Sequence, residues 1–413
     1  MKKTRFTYHW AIILACFLMM AASIGVTVNC FNLFSIELMK EFGYSASSVQ
    51  LISTITTIAS FIGAIFTGKV MAKMGMRVAM PIYALLMSGG FILYSTCNGL
   101  IMFYALSCVV GFGVSGVSLV PCGMLINNWF SDKKGLATGI AFTGSVAGGL
   151  ILVQVTKLII ASSGWRSAFM IMGIVSAVIL LPTLLFVVRE KPEDMGLLPL
   201  GANPASDGAQ AEIKGISMKN FLKTGSFRLL GLSFFIIGFI GLGMQNNVSI
   251  YLTRNLGHSA GFAANLFTFI MGVEIFGKII LGAIYDRKGV KFGTIYLSVL
   301  YVLAALAFMN SANGYVAILF GALFGLVCSM LTVTTPYLTA LVCGRRDYPG
   351  IYGLLGLCYG AGAAAGPVVA SSVFDVFGSY NYVWTAFSVI SLLMAVTTIL
   401  AVKKGSGFSL MTD

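Results

Sequence analysis

Charged side chains are scarce in this sequence, where they make up 9% of 413 residues, and histidine occurs only twice. Soluble domains carry roughly a quarter charged residues. Hydrophobic residues make up 58% of the chain, so water cannot be its main solvent. The two histidines, His9 and His258, are not accompanied by a nucleophile in any catalytic pattern, so the sequence does not indicate an enzyme.

The sequence also lacks the cysteine and glycine patterns of metal and nucleotide sites. Its eight cysteines form no C-x-x-C pair, and none lies near a histidine. The glycine-rich run at 135–149 follows no predicted strand, as a nucleotide-binding loop would. We therefore expect no metal site, no disulfide framework and no cofactor.

Long apolar runs dominate the chain. A helix needs roughly 20 apolar residues to cross a bilayer, and these runs are that long and lack the alternation of strands. Backbone groups in lipid must be paired within the segment, which a helix achieves. The sequence thus predicts an all-α membrane protein of twelve transmembrane helices. The predicted spans are 10–31, 51–68, 79–97, 101–126, 136–162, 168–188, 229–252, 262–284, 292–309, 315–342, 351–374 and 382–402.

The net charge of +13 reflects membrane topology and does not indicate nucleic-acid binding, because the basic residues follow loop parity. Basic residues concentrate in cytoplasmic segments of membrane proteins. With the N-terminus inside, the outer loops hold only Lys40, Arg166 and Arg254. We therefore expect both termini to be cytoplasmic, in an inner or plasma membrane.

One long polar stretch divides the predicted helices six and six. We expect domains at 1–188 and 228–413, joined by a cytoplasmic linker at 189–227. The halves share residues at an offset of 214 to 215, which indicates an internal repeat. Two pseudo-symmetric six-helix bundles, with a substrate site near the membrane midplane, are the expected result. The matching pairs are Gly63 and Gly277, Gly68 and Gly282, Gly75 and Gly289, Arg77 and Lys291, Pro121 and Pro336, and Gly135 and Gly350.

The segment after the second predicted helix resembles the G-x-L-a-D-r-x-G-r-k motif of the Major Facilitator Superfamily, with Ala72 at the place of the aspartate. The equivalent segment after the eighth helix keeps that aspartate. The resemblance implies a secondary transporter whose motif residues act in gating. Those residues are Gly68, Gly75, Arg77, Gly282, Asp286, Arg287 and Gly289.

Four further segments are similar to the branch of that superfamily that contains oxalate/formate antiporters and monocarboxylate transporters. They are 128–139, 164–166, 189–196 and 352–355. This likeness extends over the whole chain and implies a small organic anion as the substrate.

Glu274 and Lys278 are ionisable residues deep within the eighth predicted span. Such groups are costly in lipid and therefore mark functional sites by default. Four residues apart, they lie on one helix face and can pair. Their pattern, E-x3-K-x3-G, resembles the D-x3-R-x3-G of monocarboxylate transporters, which implies that Lys278 binds the substrate carboxylate and Glu274 couples protons. The alternative is a buried ion pair that only fixes helix register.

Uncharged polar residues of other spans are further candidates for substrate contact, since hydrogen-bonding groups in lipid-buried helices normally turn inward. Tyr359 stands where oxalate antiporters carry a second cation, and a single deep cation fits a monoanion better than a dianion. The amide candidates are Asn29, Asn32, Gln245, Asn246 and Asn247.

The leading hypothesis is a proton-coupled symporter of a small monocarboxylate, working as a monomer by alternating access. An anion:anion antiporter of the oxalate/formate type is the nearest alternative. Efflux of a small amphipathic compound is less favoured, because the glycine run at 144–149 lacks the proline of the antiporter motif. The expected partners are the anionic substrate, a proton or counter-anion, and the lipid bilayer, with no nucleic acid.

Overall fold

The computed structural model describes residues 2–202 and 215–408. Within those ranges, ten helices are long and apolar enough to cross a membrane. Two of the ten are interrupted by a glycine with non-helical backbone angles, Gly164 in one and Gly289 in the other. The ten helices therefore supply twelve membrane-length segments, in agreement with the twelve predicted spans.

Seven α-helices precede the long polar stretch. Short π-helical segments follow the first and the last of them, at Gly25–Asn29 and Thr183–Val187. The helices are α1 (Lys2–Ile24), α2 (Phe31–Phe42), α3 (Ala46–Met74), α4 (Met76–Leu93), α5 (Leu100–Ser115), α6 (Leu119–Trp129) and α7 (Lys134–Pro182).

Seven more α-helices follow the polar stretch. Here π-helical segments lie at Tyr251–Asn255 and Met330–Thr334. The helices are α8 (Met218–Phe221), α9 (Gly225–Ile250), α10 (Ala260–Met309), α11 (Gly314–Cys328), α12 (Thr335–Cys343), α13 (Tyr348–Phe377) and α14 (Asn381–Lys404).

The chain forms two compact units. Unit 1 comprises Met1–Ala211 and Tyr348–Leu354, and unit 2 comprises Glu212–Asp347 and Leu355–Asp413. The first residues of α13 thus belong to unit 1, although the rest of that helix belongs to unit 2.

Four glycines form turns between consecutive helices and repeat the sequence offset. Gly75 and Gly289, 214 residues apart, have φ of 77° and 75°. Gly164 and Gly378, also 214 apart, have φ of 78° and 67°. Side chains strain the backbone at positive φ, so glycine is the residue that such turns favour. The predicted loop between the second and third spans is therefore a single residue, since α3 ends at Met74 and α4 begins at Met76.

Helix packing follows the same repeat. A Cβ on Gly111 in α5 would lie 2.2 Å from the backbone oxygen of Thr56 in α3. A Cβ on Gly325 in α11, 214 residues later, would lie 2.7 Å from the backbone oxygen of Ile270 in α10. Small residues let helix backbones approach closely in lipid, where no hydrophobic effect drives helices together. In each unit, a glycine at the corresponding position lets the two helices pack closely.

Candidate functional site

The predicted partners Glu274 and Lys278 form a buried ion pair on α10. Nζ of Lys278 lies 2.9 Å from Oε1 of Glu274, and the two side chains are 1% and 10% exposed. Two ion pairs elsewhere, Lys40 with Glu37 and Arg166 with Glu41, have much more exposed side chains. The sequence predicted that two residues four apart on one helix face can pair, and the structure shows this contact.

The pair lies deep in its helical segment. Lys278 precedes the Gly289 turn by eleven residues, which is roughly 16 Å at 1.5 Å of rise per residue. Half the hydrocarbon core of a bilayer is roughly 15 Å. Ionisable side chains at that depth are costly, because the surrounding hydrocarbon excludes water. Such residues usually lie on the path of a charged substrate or ion.

Neighbouring groups surround the pair closely. A Cβ on Gly277 would lie 3.0 Å from Cα of Leu326 on α11, so that helix packs tightly beside the pair. Cys328 of α11 is buried and lies within electrostatic reach of both Glu274 and Lys278. No pattern in the sequence predicts this position of Cys328, because a lone buried cysteine has no spacing that would indicate its neighbours.

The three consecutive amides of α9 occupy different environments. Asn247 is 2% exposed, and both polar atoms of its side chain form hydrogen bonds. Its Nδ2 donates to the oxygen of Gly243 at 2.8 Å, and its Oδ1 accepts from the hydroxyls of Ser371 and Tyr380. In this state Asn247 ties α9 to its neighbours. Gln245 is half-buried and Asn246 exposed, and neither side chain bonds to another described residue.

The remaining predicted substrate residues are also located. Asn29 ends the π-helical segment after α1, and its Nδ2 donates to the backbone oxygen of Ser145 at 2.9 Å. Asn32 on α2 is exposed. Tyr359 on α13 is half-buried. Asn29 and Asn32 belong to unit 1, whereas Tyr359 belongs to unit 2 with the ion pair.

Two helix interruptions related by the repeat were not predicted. The break between α5 and α6 at 116–118 precedes Pro121, and the π-helical segment Met330–Thr334 precedes Pro336. The serines at these breaks, Ser115 and Ser329, each donate 2.6 Å hydrogen bonds to a carbonyl of the preceding turn. Interruptions of this kind often lie at functional sites in membrane helices. The prolines that follow these interruptions, Pro121 and Pro336, were the available signal.

The predicted gating residues of unit 1 lie where α3 meets α4. Gly68 faces Pro349 of the same unit, because a Cβ on Gly68 would lie 2.8 Å from Cγ of that proline. Gly75 forms the turn itself, and Arg77 is exposed at the start of α4. No atom lies within 4 Å of where a Gly75 Cβ would stand, so backbone conformation alone favours glycine there.

Glu190 supplies a carboxylate to this turn, where Ala72 replaces the aspartate of the motif. The backbone N–H of Met76, the first residue of α4, donates to Oε2 of Glu190 at 3.3 Å. Anionic groups stabilise helix N-termini because the free N–H groups there carry partial positive charge. Asn128 and Trp129 hold the segment in place by donating to the backbone oxygens of Glu190 and Arg189. The sequence does not predict this contact of Glu190, because it joins residues 114 apart.

The predicted gating residues of unit 2 lie at the corresponding turn of α10. Gly282 is buried, Asp286 is half-buried, and Arg287 is exposed. Gly289 forms the turn with a φ of 75°. No cluster of three or more metal-ligating side chains occurs among the residues that the structure describes.

Comparisons with known proteins agree with this architecture. The family model described as Major Facilitator Superfamily matches residues 11–317 and 230–407. Monocarboxylate transporter 12-B of Danio rerio is 24% identical, over 93% of this chain and 85% of that protein. Monocarboxylate transporter 4 of Gallus gallus is 22% identical, over 97% of this chain and 83% of that protein.

Solved structures show the same fold. The proton:xylose symporter XylE superposes with a TM-score of 0.74 at 18% identity, covering 98% of both chains. The fucose:proton symporter FucP of E. coli superposes with a TM-score of 0.68 at 15% identity, covering 95% of this chain and 99% of that one. This chain therefore belongs to the Major Facilitator Superfamily, as a multi-pass secondary transporter of a small molecule, distantly related to the monocarboxylate transporters.

Proposed function

We propose that this transporter carries a small monocarboxylate together with a proton. Lys278 is the carboxylate-binding group, and Glu274 is the proton-binding group. The observation that carries the proposal is the buried 2.9 Å pair itself. Burying two charges costs several kcal/mol per ion, and a buried pair stabilises a protein no better than apolar side chains of similar volume. Relatives whose names state monocarboxylate transport align over more than nine-tenths of the chain.

The pair couples two loading events through charge. Without substrate, the ammonium of Lys278 compensates the carboxylate of Glu274. A substrate carboxylate that binds Lys278 takes over this cation and leaves Glu274 with a weaker counter-charge. An uncompensated carboxylate in an apolar environment is unstable and takes up a proton. Substrate and proton therefore enter the site together, and both leave it together when the Lys278–Glu274 pair forms again.

Other predicted residues have supporting roles in this proposal. Gln245 and Asn246 can donate to an oxygen of the substrate, since their amides are not bonded to other described residues. Asn29, Asn32 and Tyr359 are the further candidates. Lysine presents a point charge in place of the planar fork of arginine, so it accepts carboxylates of varied orientation. We therefore expect a range of short monocarboxylates to be carried.

The direct test is uptake by proteoliposomes that contain the purified full chain. Radiolabelled lactate, pyruvate and oxalate are supplied with an inward proton gradient, without a gradient, and with an uncoupler. We expect the gradient to drive accumulation of lactate or pyruvate and not of oxalate. Uptake that requires a preloaded internal anion and ignores the gradient would instead establish antiport. Gradient-driven extrusion of a neutral amphipathic compound, with no carboxylate transport, would overturn the proposal in favour of efflux.

A further inference from the structure

Three basic residues surround the turn between α3 and α4 without an acidic partner. Lys69, Lys73 and Arg77 are all exposed, and none forms an ion pair or hydrogen bond with another described residue. At position 72, one residue before Lys73, alanine stands where the family motif places an aspartate. The end of α3 therefore presents positive charge that is not neutralised in an ion pair with a described residue.

An apolar cleft of about 110 Å³ begins at the same turn, between α3, α4 and α5. Met74 and Ala79 line it beside the turn, and Phe112 lines it from α5. Met74, Ile82 and Phe112 are each more than a third exposed, so the cleft opens on the surface of unit 1. In a membrane-spanning bundle this surface meets lipid chains. The complete lining is Val70, Met74, Ala79, Ile82, Tyr83, Leu86 and Phe112.

The charge and the cleft are adjacent along the helices. Lys73 lies between the lining residues Val70 and Met74 on α3, and Arg77 lies two residues before Ala79 on α4. From Ala79 to Leu86 the cleft extends roughly 10 Å along the helix axis. A molecule with an anionic head and an apolar tail matches this order of features, since the head would meet Lys73 and Arg77 while the tail enters the cleft.

We propose that the α3–α4 turn and this cleft bind an anionic phospholipid, with its phosphate at Lys73 and Arg77 and part of one acyl chain in the cleft. Basic residues at the cytoplasmic boundary of membrane helices attract anionic headgroups. The carboxylate of Glu190 lies at the same turn, where it accepts from the N–H of Met76. That contact directs its charge towards the first turn of α4, and the three cations still outnumber it.

The test measures lipid binding to the purified, delipidated full chain by native mass spectrometry. Palmitoyl-oleoyl phosphatidylglycerol is compared with the phosphatidylcholine of the same chains. The double variant Lys73→Gln/Arg77→Gln is expected to lose phosphatidylglycerol affinity about thirtyfold, because each basic residue near an anionic headgroup contributes about 1 kcal/mol. Its phosphatidylcholine affinity should not change. The variant Ile82→Trp, which narrows the cleft and keeps every charge, should also weaken phosphatidylglycerol binding.

The matched control is Lys288→Gln/Lys291→Gln at the corresponding turn of α10. It removes two exposed cations, but Asp286 is present at that turn. We expect this control to bind phosphatidylglycerol as the wild type does. An equal loss in the control would show that net charge alone governs binding and would overturn the proposal. Unchanged phosphatidylglycerol binding by Ile82→Trp would overturn it as well, since the cleft would then be irrelevant.

Discussion

Lys278 and Lys157 both lie within membrane-length helices, yet their surroundings differ. Lys278 is completely buried beside Glu274, whereas Lys157 on α7 is exposed and makes no hydrogen bond or ion pair with another described residue. A long lysine side chain at a helix surface can extend its ammonium to the membrane interface. Substitutions of the two residues therefore distinguish how transport responds to the loss of a buried cation and to the loss of an exposed lysine.

We predict that Lys278→Gln abolishes carboxylate uptake, because the amide cannot compensate a substrate carboxylate in an apolar site. Lys278→Arg should retain uptake, since it keeps the charge. Lys157→Gln should transport at nearly the wild-type rate. Uptake is measured per amount of monodisperse protein from size-exclusion chromatography. Wild-type carboxylate uptake by well-folded Lys278→Gln would remove Lys278 from the site.

Glu274→Gln separates proton coupling from substrate movement. The glutamine imitates the protonated state, so the variant can load substrate but can neither take up nor release the coupling proton. We expect at least a tenfold loss of gradient-driven accumulation, with counterflow of external for internal substrate preserved. Both assays are run on one preparation. Glu37→Gln, which disrupts an exposed pair with Lys40, is the matched control and should leave both activities intact. Undiminished gradient-driven accumulation by Glu274→Gln would remove Glu274 from the proton-coupling mechanism.

The sequence indicates some site contacts better than others, for physical reasons. Glu274 and Lys278 are four residues apart on one helix, so helical geometry alone places them together. The bonds of Asn247 to Ser371 and Tyr380 join residues 124 and 133 apart, which no local pattern encodes. From the sequence alone, the consecutive amides Gln245, Asn246 and Asn247 look equivalent, although only Asn247 is buried in the structure.

At the scale of helices, glycines differ in how closely the next helix approaches. A Cβ on Gly111 would lie 2.2 Å from the backbone oxygen of Thr56, which cannot move without shifting α3. Gly89 on α4 has no atom within 4 Å of the corresponding position. Both glycines lie in helices, so alanine gains the same intrinsic helix propensity at each. Only the steric contact distinguishes them.

We predict that Gly111→Ala destabilises the folded protein by about 1 to 3 kcal/mol, the usual result of forcing extra atoms into a packed interface. Gly89→Ala should be neutral or slightly stabilising. The thermal unfolding midpoint in detergent, followed by intrinsic fluorescence, gives both values. An unchanged midpoint for Gly111→Ala would show that α3 and α5 are not packed as closely as the structure places them.

Helix interruptions mark the limit of sequence prediction at this scale. Hydrophobicity predicts where a helix lies in the membrane, and the twelve spans follow from it. It cannot locate the break at 116–118 or the π-helical segment at Met330–Thr334, because every residue there is uncharged and compatible with a helix. Their repetition at matching positions of the two halves becomes visible only when the backbone is known.

For the whole molecule, the distribution of basic residues predicts an orientation. Lys69, Lys73 and Arg77 lie at the turn between α3 and α4, and Arg287, Lys288 and Lys291 lie at the equivalent turn of α10. Segments at the opposite ends of the helices, such as 255–259 and 376–380, carry no lysine or arginine. Basic residues near the ends of membrane helices are retained in the cytoplasm during insertion, which fixes the orientation of the chain.

We therefore predict that a membrane-impermeant thiol reagent labels Asn255→Cys and Val376→Cys in intact cells, and labels Asn220→Cys only after the cells are permeabilised. All three positions are exposed, so differences in labelling report sidedness and not burial. The substitutions are made in a background whose eight native cysteines are replaced by serine or alanine and whose transport is verified first. Labelling of Asn220→Cys in sealed cells, with Asn255→Cys protected, would invert the orientation and place the basic turns outside. The phospholipid proposed at the α3–α4 turn would then have to come from the outer leaflet, so the labelling result also decides which leaflet the binding experiment should imitate.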